Sequence, residues 1–170
     1  FEDCIKLTKA PDMTKTNALS SINAIFKGCT SLVDAPVIPD SVLDMSEAFL
    51  GDSNIYTASA FPESVEDISS AYADCISLEK AASIPASVIN CDSCYSGCSN
   101  LYGELSINTN TEDCANLLSN AVTSGKTLKL KGKSGRLFEI QQDSGSRYVT
   151  IKDTEKAEKN AKKLERQNNQ

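Results

Sequence analysis

The sequence predicts a repeat solenoid of 23-residue units. It would be a parallel β-sheet with short helical or 3₁₀ turns, capped by a small C-terminal antiparallel β-meander and a terminal helix. Three observations predict it. Like residues recur every 23 positions over most of the chain, the recurrence fades near residue 121, and a different alternation begins at Thr127. Units this short cannot bury an apolar face alone, so they are expected to stack.

The columns run in one register. Phe26, Phe49, Tyr72 and Tyr95 form an aromatic column. Leu32, Ile55, Leu78 and Leu101 form an aliphatic one, and Ile38, Phe61, Ile84 and Ile107 another. Ile22, Met45, Ile68, Cys91 and Cys114 share a further position. Cys29, Cys75 and Cys98 do too, with Asp52 in the vacant slot. An earlier copy, Phe1 to Leu7, matches Phe26 to Leu32 at an offset of 25. The chain therefore opens inside the pattern, and further domains of a longer parent chain are expected before it.

Within a unit, Ser31 to Ile38 reads as an extended segment ended by Pro39, because proline cannot donate to a ladder. Asp44 to Leu50 reads as a short helical turn, with Met45, Ala48 and Phe49 on one face at helical spacing. Gly51 reverses the chain. From Thr127 the pattern changes. Thr127 to Lys131, Arg136 to Gln141 and Arg147 to Lys152 read as three strands of a meander, separated by glycine-containing turns. Ala157, Ala161 and Leu164 give a thin helical stripe in an otherwise polar tail, with Asp153 or Thr154 as N-cap. The resulting division is a solenoid over 1–121, a β capping module over 122–153, and a polar helical or disordered tail over 154–170.

Composition narrows the function. The net charge is -6, distributed unevenly: residues 1–125 carry 5 Lys/Arg against 17 Asp/Glu, and residues 126–170 carry 12 against 6. An acidic body does not suit nucleic acid; a basic tail has the charge to touch an anionic surface. Histidine is absent, which removes the usual general base and the commonest metal ligand. No apolar run is long enough to insert in a membrane. Gly125-Lys126-Thr127 lacks the upstream glycine of a phosphate-binding loop, and Asn120 stands in its place. The sequence thus points away from an enzyme, with no catalytic, cofactor or metal residues expected.

The cysteines need separate treatment. Cys91, Cys94, Cys98 and Cys114 have a spacing that superficially suits zinc, but each replaces a core residue of its column. Packing as small hydrophobes is the expectation. If any pair is bridged, stacked Cys91 and Cys114 are the candidates.

The pattern resembles the BspA-like (Treponema-type) leucine-rich repeat. The resemblance rests on Ala48-Phe49, Ile55, Phe61-Pro62 and Ser64-Val65, then Ala71-Tyr72, Cys75, Leu78, Ile84-Pro85 and Ser87-Val88. It covers residues 1 to about 121 and weakens at Glu104, Thr111 and Cys114. It implies a leucine-rich-repeat type of solenoid and a secreted or cell-surface protein, bacterial or from relatives in protists and phages, used for adhesion and protein binding.

The expected ligand face lies on the residues that follow the Leu32 column. These are Val33, Tyr56, Glu79 and Tyr102, then Asp34, Thr57, Lys80 and Gly103. The candidates are Asp34, Tyr56, Thr57, Glu79, Lys80 and Tyr102. Tyrosine supplies contact area at small entropic cost. The expected function is non-catalytic recognition or adhesion outside the cell, binding a protein or glycan on a host or neighbouring cell. The alternative is a structural spacer or decoration domain of a larger surface or virion assembly.

Overall fold

A computed structural model describes all residues, Phe1–Gln170. Its regular elements all lie in the C-terminal part: strand β1 (Gly103–Ser106), strand β2 (Leu128–Lys131), helix α1 (Leu137–Asp143), strand β3 (Val149–Ile151) and helix α2 (Thr154–Asn168). The strands form one parallel sheet in the order β1-β2-β3.

This corrects the expected fold class. With three parallel strands in one open sheet and two helices in 170 residues, the molecule is not the leucine-rich-repeat solenoid anticipated. Residues 1–102 contribute turns, bends and single β-bridges, but no strand and no helix.

The physical reasons are local. In the segment from Ser31 to Ile38 only Asp34 makes a bridge, to Lys9. Pro36 and Pro39 bring no N–H to extend it. The expected helical turn at Asp44 to Leu50 is broken by Glu47, whose φ is +55°, a left-handed conformation in which a helix of L-residues does not propagate. Ala24, Ser70, Ser93 and Asn116 take the same conformation at the same spacing.

Residues about one period apart meet through these turns. Phe26, Phe49, Tyr72 and Tyr95 donate their amides to the carbonyls of Ala48, Ala71, Cys94 and Leu117, at 2.8–3.0 Å. Their rings stack in series, with centroids 5.5 Å (Phe26–Phe49), 4.9 Å (Phe49–Tyr72) and 5.9 Å (Tyr72–Tyr95) apart. The core is one cluster that runs from this file into Leu105, Leu128, Leu130 and Val149 under the sheet.

The C-terminal meander is corrected as well. Its strands are parallel rather than antiparallel, and Arg136 to Gln141 lies largely in α1, not in a strand. Leu137 and Ile140 are both buried, a spacing of three that suits one helical face. Helix α1 thus supplies the crossover that parallel neighbours β2 and β3 require. Gly132 leaves β2 at φ +116°, directly against the Ile107 backbone, where a side chain has no room.

Helix α2 begins at Asp153, whose carboxylate accepts from the Lys156 amide at 3.0 Å. It buries Ala157 and comes so near Gly135 that a Cβ there would lie 2.8 Å from Leu164 Cβ. No helix is long and apolar enough to cross a membrane.

Cys91 and Cys114 form a disulfide, with their Cα atoms 4.6 Å apart. These two are therefore bridged as well as buried. Cys29, Cys75, Cys94 and Cys98 are buried free thiols, and Cys4 is exposed. The bridge spans 23 residues, so chain-entropy arguments assign it about 3 kcal/mol. We expect the Cys91→Ser/Cys114→Ser double variant to lose about that much in denaturant unfolding. An unchanged midpoint under both oxidising and reducing conditions would rule this out.

Candidate binding face

Thr57 and Lys80 form a parallel bridge. The Glu79 amide donates to the Tyr56 carbonyl at 2.9 Å, and the Tyr102 amide to the Glu79 carbonyl at 3.1 Å. Five of the six expected ligand residues, Tyr56, Thr57, Glu79, Lys80 and Tyr102, are thus brought together. Asp34 is not tied to them: its bridge is to Lys9.

The side chains on this row differ in freedom. Tyr56 is 54% exposed, so a large part of its ring is open to contact. Tyr102 is half-buried, and its hydroxyl lies 3.1 Å from Glu79 Oε2, to which it donates. Lys126 stands over the Tyr102 ring, 4.2 Å from its centroid, and 3.6 Å from Glu79 Oε1. The exposed ion pair contributes at most about 1 kcal/mol, and the cation–π contact about as much. Their effect is to fix the orientation of Tyr102, so that little side-chain entropy remains to be lost on binding.

Lys126 is the residue the sequence reading missed. It was considered only within the Gly-Lys-Thr loop. Here the register departs from the columns, since Gly103 pairs with Leu128 at an offset of 25 rather than 23, so the 23-residue period carries no signal for the Lys126–Tyr102 contact.

No nucleophile is activated nearby. Burial pushes the Cys75, Cys94 and Cys98 thiols well up from their ordinary range, which keeps them protonated and unreactive. Cys29, Cys75 and Cys98 donate to the carbonyls of Phe1, Phe49 and Tyr72 at 3.0–3.1 Å. No group of three or more Cys, Asp or Glu side chains is placed to hold a metal ion.

A cleft lies elsewhere, at the carboxyl ends of the strands. It measures about 400 Å³ and is lined by Ser106, Asn108, Lys131, Lys133, Lys152 and Lys156 among others. Comparison of the chain with protein-family models, curated proteins and solved structures finds no match among any of them.

Proposed function

We propose that this chain is a non-catalytic recognition module that binds a protein or glycan outside the cell through the face carrying Tyr56, Thr57, Glu79, Lys80, Tyr102 and Lys126. One observation carries the reading: Glu79 lies between an exposed tyrosine, Tyr56, and a second tyrosine, Tyr102, that Glu79 and Lys126 hold in one orientation. Preordered aromatic surface flanked by both charges suits a contact made of a few anchors. The resemblance of the sequence to surface-exposed adhesion proteins supports the extracellular placement. The Cys91–Cys114 disulfide is compatible with an oxidising compartment.

The test is direct. The full chain, immobilised on a sensor, is exposed to a panel of defined glycans and purified extracellular protein domains. Any ligand captured is then measured against Tyr56→Ala and Tyr102→Ala. Loss of an aromatic anchor is expected to weaken binding by about 2 kcal/mol, roughly thirtyfold. Lys126→Gln is expected to act less strongly, through the orientation of Tyr102. Full affinity in both tyrosine variants, with their folds intact, would remove this face from consideration.

A further inference from the structure

We propose a second binding site, for a sulfated polysaccharide, in the groove between the carboxyl edge of the sheet and helix α2. All three strands point the same way, so Ser106, Lys131 and Ile151 end on one edge, and α2 starts beside it at Thr154. That is where open parallel sheets receive ligands, because loops and helix N-termini converge there.

The groove is built from cations. Lys131, Lys133, Lys152 and Lys156 line the cleft, with Asp153 in its wall and Glu104 paired to two of the lysines. A second cleft of about 320 Å³ shares Asn108 and Lys133 with it and continues along α2 past Asn160, Lys163 and Gln167. The two adjoin at these shared residues and together carry five lysines. All five lysines belong to the basic segment 126–170, whereas the rest of the chain is strongly acidic.

Two of the lysines already hold a carboxylate. Glu104 lies 2.5 Å from Lys131 Nζ and also pairs with Lys152. Its carboxyl sits at about 2, well below the usual range, because both ammonium groups donate to it. Glu104 thus occupies these two ammonium groups, which leaves the other lysines of the groove to meet a ligand. Lys133, Lys156 and Lys163 have no acidic partner within ion-pair distance. Asn108 Oδ1 accepts the Lys133 amide at 3.1 Å, which leaves its Nδ2 group as a donor.

The lining decides between polyanions. Neither cleft contains an aromatic side chain, so nothing is present on which a nucleic-acid base can stack, and stacking carries much of single-strand affinity. The remaining donors, ammonium, hydroxyl and carboxamide, match sulfate and hydroxyl groups along a sugar chain. The site shares no residue with the Tyr56–Tyr102 face, so either can fail without the other.

The experiment uses the full chain, with heparin as the probe, by calorimetry at about 50 mM salt, where phosphate-like contacts are little screened. The triple variant Lys133→Gln/Lys156→Gln/Lys163→Gln is compared with a charge-matched control, Lys6→Gln/Lys9→Gln/Lys15→Gln, made outside the groove. We expect heparin to bind the native chain, the groove variant to lose at least about tenfold, and the control to stay within about twofold. Desulfated heparin is expected to bind at least about tenfold more weakly than heparin. The proposal is overturned if heparin does not bind, if both variants lose equally, or if desulfation has no effect. It is also overturned if a single-stranded oligonucleotide of equal charge binds more tightly than heparin. Circular dichroism of both variants separates loss of binding from loss of fold.

Discussion

Asp52→Cys is expected to stabilise the protein, and more so as the pH rises. Position 52 falls in line with Cys29, Cys75 and Cys98, whose thiols each donate to a backbone carbonyl. Asp52 is fully buried, and neither of its carboxylate oxygens has a hydrogen-bond partner. Burial raises its pKa from 3.8 to about 8. A raised carboxyl pKa in the folded state means that the folded chain holds a proton which the unfolded chain releases. Stability therefore falls as pH rises from about 4 towards 8, by up to about 1.4 kcal/mol per unit. Below the unfolded value the ionisation penalty is absent, and above about 8 it is complete. The whole effect has an upper bound of about 6 kcal/mol, beside about 1–3 kcal/mol for the neutral acid without a partner. Denaturant unfolding at acid, neutral and alkaline pH measures it as the difference between variant and native chain, which cancels the other titrating groups. Asp52→Asn should abolish the same pH slope without restoring the thiol. A difference that does not change with pH, or a less stable cysteine variant above pH 8, would refute the assignment.

Position 52 also shows what was legible in the sequence. The slot was visible as a break in the cysteine column, but nothing in the sequence said whether the carboxyl would turn outward or stay buried. Side-chain proximity read well wherever one residue type recurred, as in the stacked rings of Phe26, Phe49, Tyr72 and Tyr95. It read well too at Tyr56, Glu79 and Tyr102, which are neighbours through backbone hydrogen bonds. Backbone conformation read poorly. The spacing of Met45, Ala48 and Phe49 fits a helical face, yet Glu47 at φ +55° breaks any helix there, and periodicity carries no information about the sign of φ. The Leu128-Lys-Leu130-Lys alternation fits a parallel strand as well as an antiparallel one. Direction was decided by α1, whose Leu137 and Ile140 were read as strand residues although their spacing of three also fits a helix. Asp34 was placed with the tyrosines by its column, but its bridge to Lys9 ties it to a different part of the chain.

Tyr72→Ala is expected to cost about 3–5 kcal/mol, and the reason connects the core to the proposed binding face. The Tyr72 ring is fully buried between Phe49 and Tyr95, with Phe61 edge-on at 6.0 Å. Its hydroxyl accepts from the Ser59 amide at 3.0 Å, two residues beyond Thr57. One period later the Tyr95 hydroxyl accepts from the Ala82 amide at 2.9 Å and donates to the Ala82 carbonyl at 2.8 Å, two residues beyond Lys80. Each ring thus braces a segment of the proposed face. Tyr95→Phe keeps the packing and removes only the hydroxyl, so a smaller loss of about 1–3 kcal/mol is expected from the buried backbone groups left without a partner. Amide exchange should quicken at Ala82 in this variant while the ring file stays protected. Tyr56→Ala, on the surface, should change neither quantity. If Tyr95→Phe leaves both stability and Ala82 exchange unaltered, the hydroxyl is not a brace, and the order of the Glu79–Lys80 segment comes from its backbone hydrogen bonds to Tyr56, Ala58 and Tyr102.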